Sequence, residues 1–394
     1  PVVPPTTEIL PLDKTGTLYA PYLEWSLSNS TFSGNPFDLI ATATFTHTSS
    51  GEQHTTEMFY DGGDIWKFRF TGTRVGEWTF VTASADADLN GRSGIVTVNP
   101  NPDPKIKGFM TNVGNKFAIQ TGDNGVLAPY RFNVFQSNLV VPNATWTTSI
   151  PALIQDNPDP TLLQKVVDEL AINGGDTTYI DILHWALQYG AGRYTEHTNE
   201  DPDLRYFREL EDIITRLHKQ GLRVNFWMWG DDSRAMTPIG LSGGINGPVD
   251  QRLQRYIAAR LGPLPGWSMN YGFDLAEWVS EPQIGVWASF MHNKLGWRHM
   301  LWGRGRFHPE LDAASYRETQ HPYSTAVANM TGDPTRPHIF SERDYYLRVF
   351  RGAAPISMEW TRRALWQYTM AGGHAGRLGV EPAGAGRRAG RVPG

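Results

Sequence analysis

The chain has 394 residues, 40% of them hydrophobic and 19% charged, a globular composition that permits one or two domains with a sizeable core. Its formal net charge of −5 provides no basic field that would attract nucleic acid or an anionic membrane. It contains no cysteine, which excludes a disulfide framework, a thiolate metal site and a cysteine nucleophile.

The first hundred residues read as short strands with turns between them. Apolar and polar residues alternate, or β-branched residues recur, at 23–27, 37–45, 66–70 and 77–81. Turns rich in Gly and Asp at 61–64 and 90–94 separate these runs. Such spacing without helical stretches predicts an antiparallel β-sandwich over residues 1–100. Three prolines within 99–104 cannot continue a strand ladder, so we place a linker and a domain boundary there.

From residue 107 onward, strand patterns alternate with helical patterns. Strands are predicted at 130–135, 178–183, 222–229, 269–273, 299–302 and 336–340, and helices at 160–172, 204–217, 249–261 and 282–292. Repeated βα units predict a (β/α)8 TIM barrel over residues 107–376. No Gly-rich phosphate loop follows any of these strands, which disfavours a doubly wound nucleotide-binding fold.

Two acidic clusters follow predicted strands, and each has aromatic neighbours. Asp274 and Glu277 follow the strand at 269–273, and Glu342 follows the strand at 336–340. The carboxyl ends of barrel strands are where catalytic side chains gather, and two facing carboxylates are what glycosidic bond cleavage needs. The pattern therefore predicts a glycoside hydrolase.

Other polar and aromatic residues near strand ends are candidates for binding the substrate, a polysaccharide or oligosaccharide. The chain has 14 Trp and 15 Tyr, more than average usage, and flat aromatic faces bind sugar rings. The candidates are Asn133, His184, Trp185, Trp229, Asp231, Trp278, Arg304, His321, Tyr323 and Trp366.

A metal or cofactor is not expected. Asp231 and Asp232 could bind sugar hydroxyls or a hard cation such as Ca²⁺, although an Asp pair before a turn also caps helices. The 11 histidines form neither an HExxH nor a paired motif, which makes a zinc enzyme a poor hypothesis.

Two segments resemble known families. The run at 59–70, followed by Gly76-Glu77-Trp78-Thr79-Phe80, resembles a small N-terminal β-sandwich of unassigned function that precedes carbohydrate-active barrels in bacteria. Residues 108–379 resemble the apiosidase-like barrel family of glycoside hydrolases. The stretches that carry this second likeness are 114–117, 300–305, 336–342 and 364–373.

The barrel resemblance implies roles for the carboxylates. The family places its nucleophile in a Lys/Arg-Pro-x-x-x-x-Glu pattern, which matches at Glu342. Its acid/base follows a Gly-Gly-Asp pattern, and this chain departs from it because Phe273 replaces the second Gly before Asp274. Asp274 and Glu277 therefore both stay open for that role. Retention of anomeric configuration is implied, and Arg304, Arg306 and Arg343 are candidates for holding the nucleophile ionised.

Two further hypotheses and an unusual C-terminus remain. A polysaccharide lyase would use a Tyr or His base instead of a pair of carboxylates. A non-catalytic carbohydrate-binding protein would need only the aromatic side chains at the strand ends. Residues 377–394 are rich in Gly, Ala, Arg and Pro, so we expect a disordered or frame-shifted tail.

The sequence lacks the basic and apolar regions of a signal peptide, and it contains no long apolar run. The absence of cysteine is compatible with an extracytoplasmic bacterial enzyme, and we expect a secreted or periplasmic protein in a mature form whose signal has been removed.

Overall fold

The structure is a computed structural model, and it describes residues 12–130, 134–136, 164, 167–168, 176–181, 200–230, 237–316, 322–340 and 357–375. It is a mixed α/β structure with two N-terminal sheets, a small antiparallel sheet and an eight-stranded parallel sheet. The predicted helix at 160–172 and the tail at 377–394 lie largely or wholly outside the described residues.

The two N-terminal sheets contain eight strands, which pair in the orders β1-β8-β7-β3-β4 and β2-β6-β5. All their pairings are antiparallel except that of β1 with β8. The strands are β1 (Lys14–Thr17), β2 (Leu23–Ser28), β3 (Ala41–His47), β4 (Gln53–Glu57), β5 (Phe59–Tyr60), β6 (Ile65–Phe70), β7 (Gly76–Ser84) and β8 (Ser93–Asn99).

Aromatic side chains fill the space between these two sheets. Alternate residues of β3 and β7 are buried, because successive side chains of a strand point to opposite faces. The Phe45 and Phe70 rings, one from each sheet, lie 4.4 Å apart, and Trp25 stacks on Phe68 at 5.1 Å. The cluster also contains Trp66, Trp78 and Phe80.

The predicted strand at 37–45 begins four residues late, at Ala41. The side chain of Asn35 accepts a hydrogen bond from the Phe37 N–H at 3.0 Å, and the Asp38 N–H donates to the Asn35 carbonyl. These bonds form a turn, so apolar alternation alone misplaces the start of the strand.

A three-stranded antiparallel sheet follows, and the sequence analysis did not predict it. It consists of β9 (Met110–Val113), β10 (Lys116–Thr121) and β11 (Val126–Pro129). Gly114 has a φ of 56°, which allows the tight turn between β9 and β10. Met110 and Phe117 pack into one cluster with residues of the parallel sheet.

The eight strands of the parallel sheet pair in chain order. All seven pairings are parallel, as repeated βα units require. The strands are β12 (Val134–Gln136), β13 (Thr177–Asp181), β14 (Arg223–Trp229), β15 (Trp267–Gly272), β16 (Leu301–Arg304), β17 (Ala313–Tyr316), β18 (His338–Phe340) and β19 (His374–Ala375).

Five helices connect or follow these strands in the described residues. Asp203 caps the first by accepting from the Arg205 and Tyr206 N–H groups, and Ser280 forms a capping box with Gln283 at the third. The helices are α1 (Leu204–Lys219), α2 (Pro248–Leu261), α3 (Glu281–Lys294), α4 (Pro322–Gly332) and α5 (Met358–Met370).

The parallel sheet has two apolar faces. One, the helix-covered face, carries Val224, Phe226, Met269 and Leu301, which cluster with the apolar sides of α1, α2 and α3. We call the other the inner face, and it carries Trp227, Trp302, Ala313 and Ile339. Both faces are buried, so strands such as β14 read as continuous apolar runs.

His218, in the last turn of α1, provides a prediction about acid stability. Its Nε2 donates to the Lys107 carbonyl at 2.8 Å, and burial lowers the pKa of the ring to about 4. Since the unfolded ring has a pKa of about 6.5, protonation favours unfolding, and stability is lost as the pH falls from about 6.5 to about 4. We expect about 2 to 3 kcal/mol of this loss between pH 7 and pH 4.5.

Urea unfolding of His218→Gln at both pH values checks this expectation. A glutamine can still donate to the Lys107 carbonyl but cannot titrate, so the variant should lose less stability in acid than the wild-type protein. Equal losses in the two proteins would show that His218 is not the group responsible.

Candidate active site

Asp274 stands directly beyond the carboxyl end of β15, the fourth strand of the parallel sheet. Its backbone is left-handed, with φ 40° and ψ 43°, and it precedes a single 3₁₀ turn, Leu275–Glu277. The Glu277 N–H donates to the Asp274 carbonyl at 2.8 Å, which closes this turn. A non-glycine residue with positive φ is uncommon, and such positions cluster at functional sites.

The side chain of Asp274 pairs with Arg304, the last residue of β16. One guanidinium nitrogen of Arg304 donates to Asp274 Oδ1. The Arg304 side chain is 1% exposed and that of Asp274 18% exposed, so the pair joins the ends of neighbouring strands at the edge of solvent. The contact therefore fixes the carboxyl group of Asp274 against a buried cation.

An aromatic stack lies beside this ion pair. Trp227 and Phe273 stack with their centroids 3.8 Å apart and their planes 22° apart. The Arg304 guanidinium lies 4.9 Å from the Trp227 ring and 5.5 Å from the Phe273 ring, within cation–π range. Phe273, which replaces the glycine of the resembled pattern, therefore supplies a ring to the wall beside Asp274.

The two acidic candidates that the sequence left open lie in different surroundings. Asp274 is partly buried at the strand end, next to the aromatic stack. Glu277 lies one turn further on, at the end of the 3₁₀ turn, and is exposed. The position of Asp274 suits a group that acts on a bound substrate better than the position of Glu277 does.

Arg304 has a partner that the sequence analysis did not consider, because its guanidinium pairs with Asp274. We also predicted that an arginine such as Arg304 holds Glu342 ionised, and this stays a prediction, since Glu342 lies outside the described residues. Arg306 is also engaged elsewhere, because it donates to the Val279 and Ala276 carbonyls. Neither pairing could be read from spacing in the sequence, since each depends on how β15 and β16 align.

Trp229 and Trp278 pack in the layer between the sheet and the helices. The Trp229 indole donates to Asp250 Oδ1 at 3.0 Å, and the Trp278 indole donates to the Phe273 carbonyl at 2.9 Å. Trp229 is fully buried and Trp278 is 8% exposed, so the packing leaves little open ring surface for a sugar. Both residues instead support the ends of β14 and β15.

Asp250, a residue of α2 that sequence reasoning missed, organises the same region. Its two carboxyl oxygens accept from Trp229, from the Tyr271 hydroxyl at 2.6 Å and from the Asn246 N–H. Burial raises the pKa of Asp250 despite these bonds. Asp250 thus ties α2 to the ends of the two strands that precede the site, and no sequence motif signals this contact.

Tyr323 and Trp366 lie on helices. Tyr323 is 51% exposed in the first turn of α4, which follows the sixth strand. Trp366 is 63% exposed in the second half of α5, and this helix runs back towards the amino ends of the strands. Lys116 of β10 bonds the Gly372 carbonyl just beyond α5. Trp366 thus lies in the half of α5 that is nearer the amino ends of the strands, and its part in substrate binding stays a prediction.

The remaining candidates fall outside the described residues. Their roles and their distances from Asp274 stay predictions. They are Asn133, His184, Trp185, Asp231, His321 and Glu342.

Within the described residues, no cluster of three or more His, Asp or Glu side chains has an arrangement that could hold a metal ion. In the same part of the chain, none of the helices combines the length and the apolar character needed to cross a bilayer.

Comparison with known proteins supports the fold. Residues 21–85 match the model of a domain of unknown function, DUF5060, and this match lies within the two N-terminal sheets. No curated protein matches the chain. The chain is similar to a candidate glycoside hydrolase from Bacteroides vulgatus ATCC 8482, with a TM-score of 0.69 and 21% identity over 93% of this chain and 72% of that chain.

Two other solved structures are more distant. One is a glycoside hydrolase with a TM-score of 0.49 and 14% identity, which covers 70% of this chain and 65% of that chain. The other is a glycoside hydrolase family 5 protein from Bacteroides vulgatus ATCC 8482, with a TM-score of 0.48, 12% identity and coverage of 70% and 62%. The chain thus spans slightly less than two thirds of these two proteins. At such identities, the likeness to the first structure shows a shared fold.

Proposed function

We propose that this protein is a retaining glycoside hydrolase that cleaves glycosidic bonds in a plant or algal polysaccharide. The observation that carries the proposal is the half-buried Asp274, held by Arg304 beside the Trp227–Phe273 stack at the carboxyl ends of parallel strands. A carboxyl group at the carboxyl ends of parallel strands, at the edge of solvent, is what an acid/base in glycosidic bond cleavage needs. The shared fold with a candidate glycoside hydrolase agrees with this proposal.

We propose that the eight-stranded sheet closes into a (β/α)8 barrel at residues 107–376, preceded by a β-sandwich domain at residues 1–100. Seven parallel pairings in chain order leave β12 and β19 as the two strands whose pairing would complete the ring. Closure would place the carboxyl ends of all eight strands around one mouth. Glu342 follows β18, so closure would bring it to the same mouth as Asp274.

In the proposed double displacement, Glu342 attacks the anomeric carbon as a carboxylate and forms a glycosyl-enzyme. Asp274 gives its proton to the leaving glycosidic oxygen, so the C–O bond breaks without expelling an alkoxide. Asp274 then takes a proton from water, which attacks the anomeric carbon and releases Glu342. Arg304 donates to Oδ1 of Asp274, so Oδ2 is the oxygen that gives and takes the proton in these two steps.

The assignment of Asp274 is tested by its asparagine variant. Asp274→Asn should lower kcat/KM on a polysaccharide by about 10²- to 10⁴-fold, because the amide cannot protonate the leaving oxygen. On a 2,4-dinitrophenyl glycoside the loss should be much smaller, since that leaving group departs without a proton. Initial rates on both substrates give the comparison.

Glu277→Gln is the matched control, because Glu277 is exposed one turn away. Its rates should stay within a few-fold of those of the wild-type protein on both substrates. The reverse result, a leaving-group-dependent loss in Glu277→Gln and none in Asp274→Asn, would transfer the acid/base role to Glu277.

The products separate the alternative activities. Hydrolysis generates new reducing ends, whereas a lyase would generate products that absorb in the unsaturated uronate band, and a binding protein would generate neither. A screen of plant and algal polysaccharides that measures both reducing ends and absorbance in this band therefore tests the reaction class.

A polysaccharide cannot cross a membrane intact, so we also propose that the protein acts outside the bacterial cytoplasm, as a secreted or periplasmic enzyme. Cell fractionation tests that location.

A further inference from the structure

Asn270 is a buried amide on the inner face of the parallel sheet, in the strand that leads to Asp274. Met269 and Tyr271, on either side of it, pack on the helix-covered face, so Asn270 points to the opposite face. It is paired in register with Trp227 of β14 and with Trp302 of β16, both of which belong to the inner-face cluster. Asn270 therefore lies between two tryptophans, four residues before Asp274.

The amide of Asn270 is unsatisfied within the protein. The residue is 1% exposed, and neither Nδ2 nor Oδ1 has a hydrogen-bond partner among the residues that the structure describes. Its neighbour Asn225, on the same face, differs at the oxygen only: its Oδ1 accepts from the Ser268 hydroxyl at 2.9 Å, whereas its Nδ2 has no partner among the described residues either. A buried polar group without a partner destabilises a fold, and such a group in a native protein calls for an explanation, such as a bound water, an ion or a catalytic role.

We propose that Asn270 binds a hydroxyl group of the sugar that occupies the site beside Asp274. An amide offers both a donor and an acceptor, and a sugar hydroxyl can satisfy both. The inference rests on the proposed function and deepens it, because it names Asn270 as a specificity-determining residue.

The chemistry of the site indicates a neutral sugar at this position. A uronate carboxylate can only accept hydrogen bonds, so it would leave Oδ1 of Asn270 unsatisfied. The site should therefore discriminate against uronic acid residues.

The test combines stability with kinetics in Asn270→Leu. Leucine has a similar size and no polar atoms, so the variant should have a Tm equal to or above that of the wild-type protein. Its kcat/KM on the neutral polysaccharide that the wild-type protein hydrolyses should fall by about tenfold to a hundredfold. Asn225→Leu is the control, and its Tm should fall because the Ser268 hydroxyl loses its partner.

Three results would overturn the inference and leave the proposed function in place. A Tm of Asn270→Leu as low as that of Asn225→Leu would assign the amide a structural role. Undiminished hydrolysis by Asn270→Leu would remove it from the site, while the proposed function would stand. Hydrolysis by the wild-type protein of oligogalacturonate alone, among neutral and uronate substrates, would contradict the neutral sugar. If the wild-type protein hydrolyses no substrate, the proposed function fails first and the inference falls with it.

Discussion

Replacing Glu342 with glutamine is expected to lower kcat for polysaccharide hydrolysis by about 10³-fold or more. Glutamine has nearly the same shape as glutamate, but its neutral amide cannot attack the anomeric carbon or leave from it as a carboxylate. Binding should survive, because the substitution adds no bulk. The measurement is the initial rate of reducing-end release, together with the affinity of the variant for the same polysaccharide by calorimetry.

Glu310→Gln is a suitable control, since Glu310 is an exposed glutamate in the turn between β16 and β17. It should hydrolyse the polysaccharide at the wild-type rate. If Glu342→Gln also hydrolyses the polysaccharide at the wild-type rate, Glu342 is not the nucleophile and the proposed two-carboxylate mechanism is wrong.

The same residue tests retention. In Glu342→Ala, azide can enter the space left by the carboxylate and attack the anomeric carbon of an activated aryl glycoside. The glycosyl azide formed should have the anomeric configuration opposite to that of the substrate, because only one displacement occurs. In Asp274→Ala, azide should instead intercept the glycosyl-enzyme and give the same configuration as the substrate. NMR spectroscopy of the two azides distinguishes them, and an inverting enzyme would not show this pair of outcomes.

Long periodic segments of this fold could be predicted from the sequence. Apolar residues recur at helical spacing in 204–217, and the structure has α1 at Leu204–Lys219. The apolar run at 222–229 became β14 because both faces of that strand are buried. The place of Asp274, directly beyond a strand, also follows from the local pattern.

Short elements escaped prediction because their residues form strands only through tertiary pairing. Ala313–Tyr316 has four residues, and it is held by pairing with β16 and β18 on its two sides. The antiparallel sheet of β9, β10 and β11 was also missed, although a glycine turn at Gly114 marks it. Propensity is weakest where strands are this short.

The site could be located from the sequence but its contacts could not. Trp229 and Trp278 were expected to bind sugar because they are tryptophans near strand ends. The structure buries both, with their indoles bonded to Asp250 and to the Phe273 carbonyl. Asn270 was not among the predicted site residues, because a single Asn within an apolar strand forms no recognisable motif. Its significance depends on a missing hydrogen bond, which only the packed structure reveals.

The N-terminal sheets and the helices around the parallel sheet share a buried ionic network. Glu211 of α1 accepts from Arg69 of β6 at 2.7 Å and from Arg260 of α2 at 2.8 and 3.1 Å. Arg260 also bonds Asp61, and Arg69 also bonds Glu24. Burial tends to raise the pKa of Glu211, but the two guanidiniums outweigh it and hold the pKa below the usual value. Glu211 therefore stays a carboxylate at neutral pH.

Glu211→Leu is consequently expected to lower the free energy of unfolding by about 3 to 5 kcal/mol. It removes the anion shared by two guanidiniums whose side chains are only 2% and 1% exposed, and leaves both charges buried with less compensation. Urea unfolding at pH 7 gives the value. Asp212→Ala is the control from the next residue of the same helix, because Asp212 is 47% exposed and pairs with Arg216 at the surface. It should lose about 1 kcal/mol or less. A loss in Glu211→Leu no larger than that of the control would mean that water or repacking compensates the two arginines, and that the network contributes little to holding the N-terminal sheets against the helices.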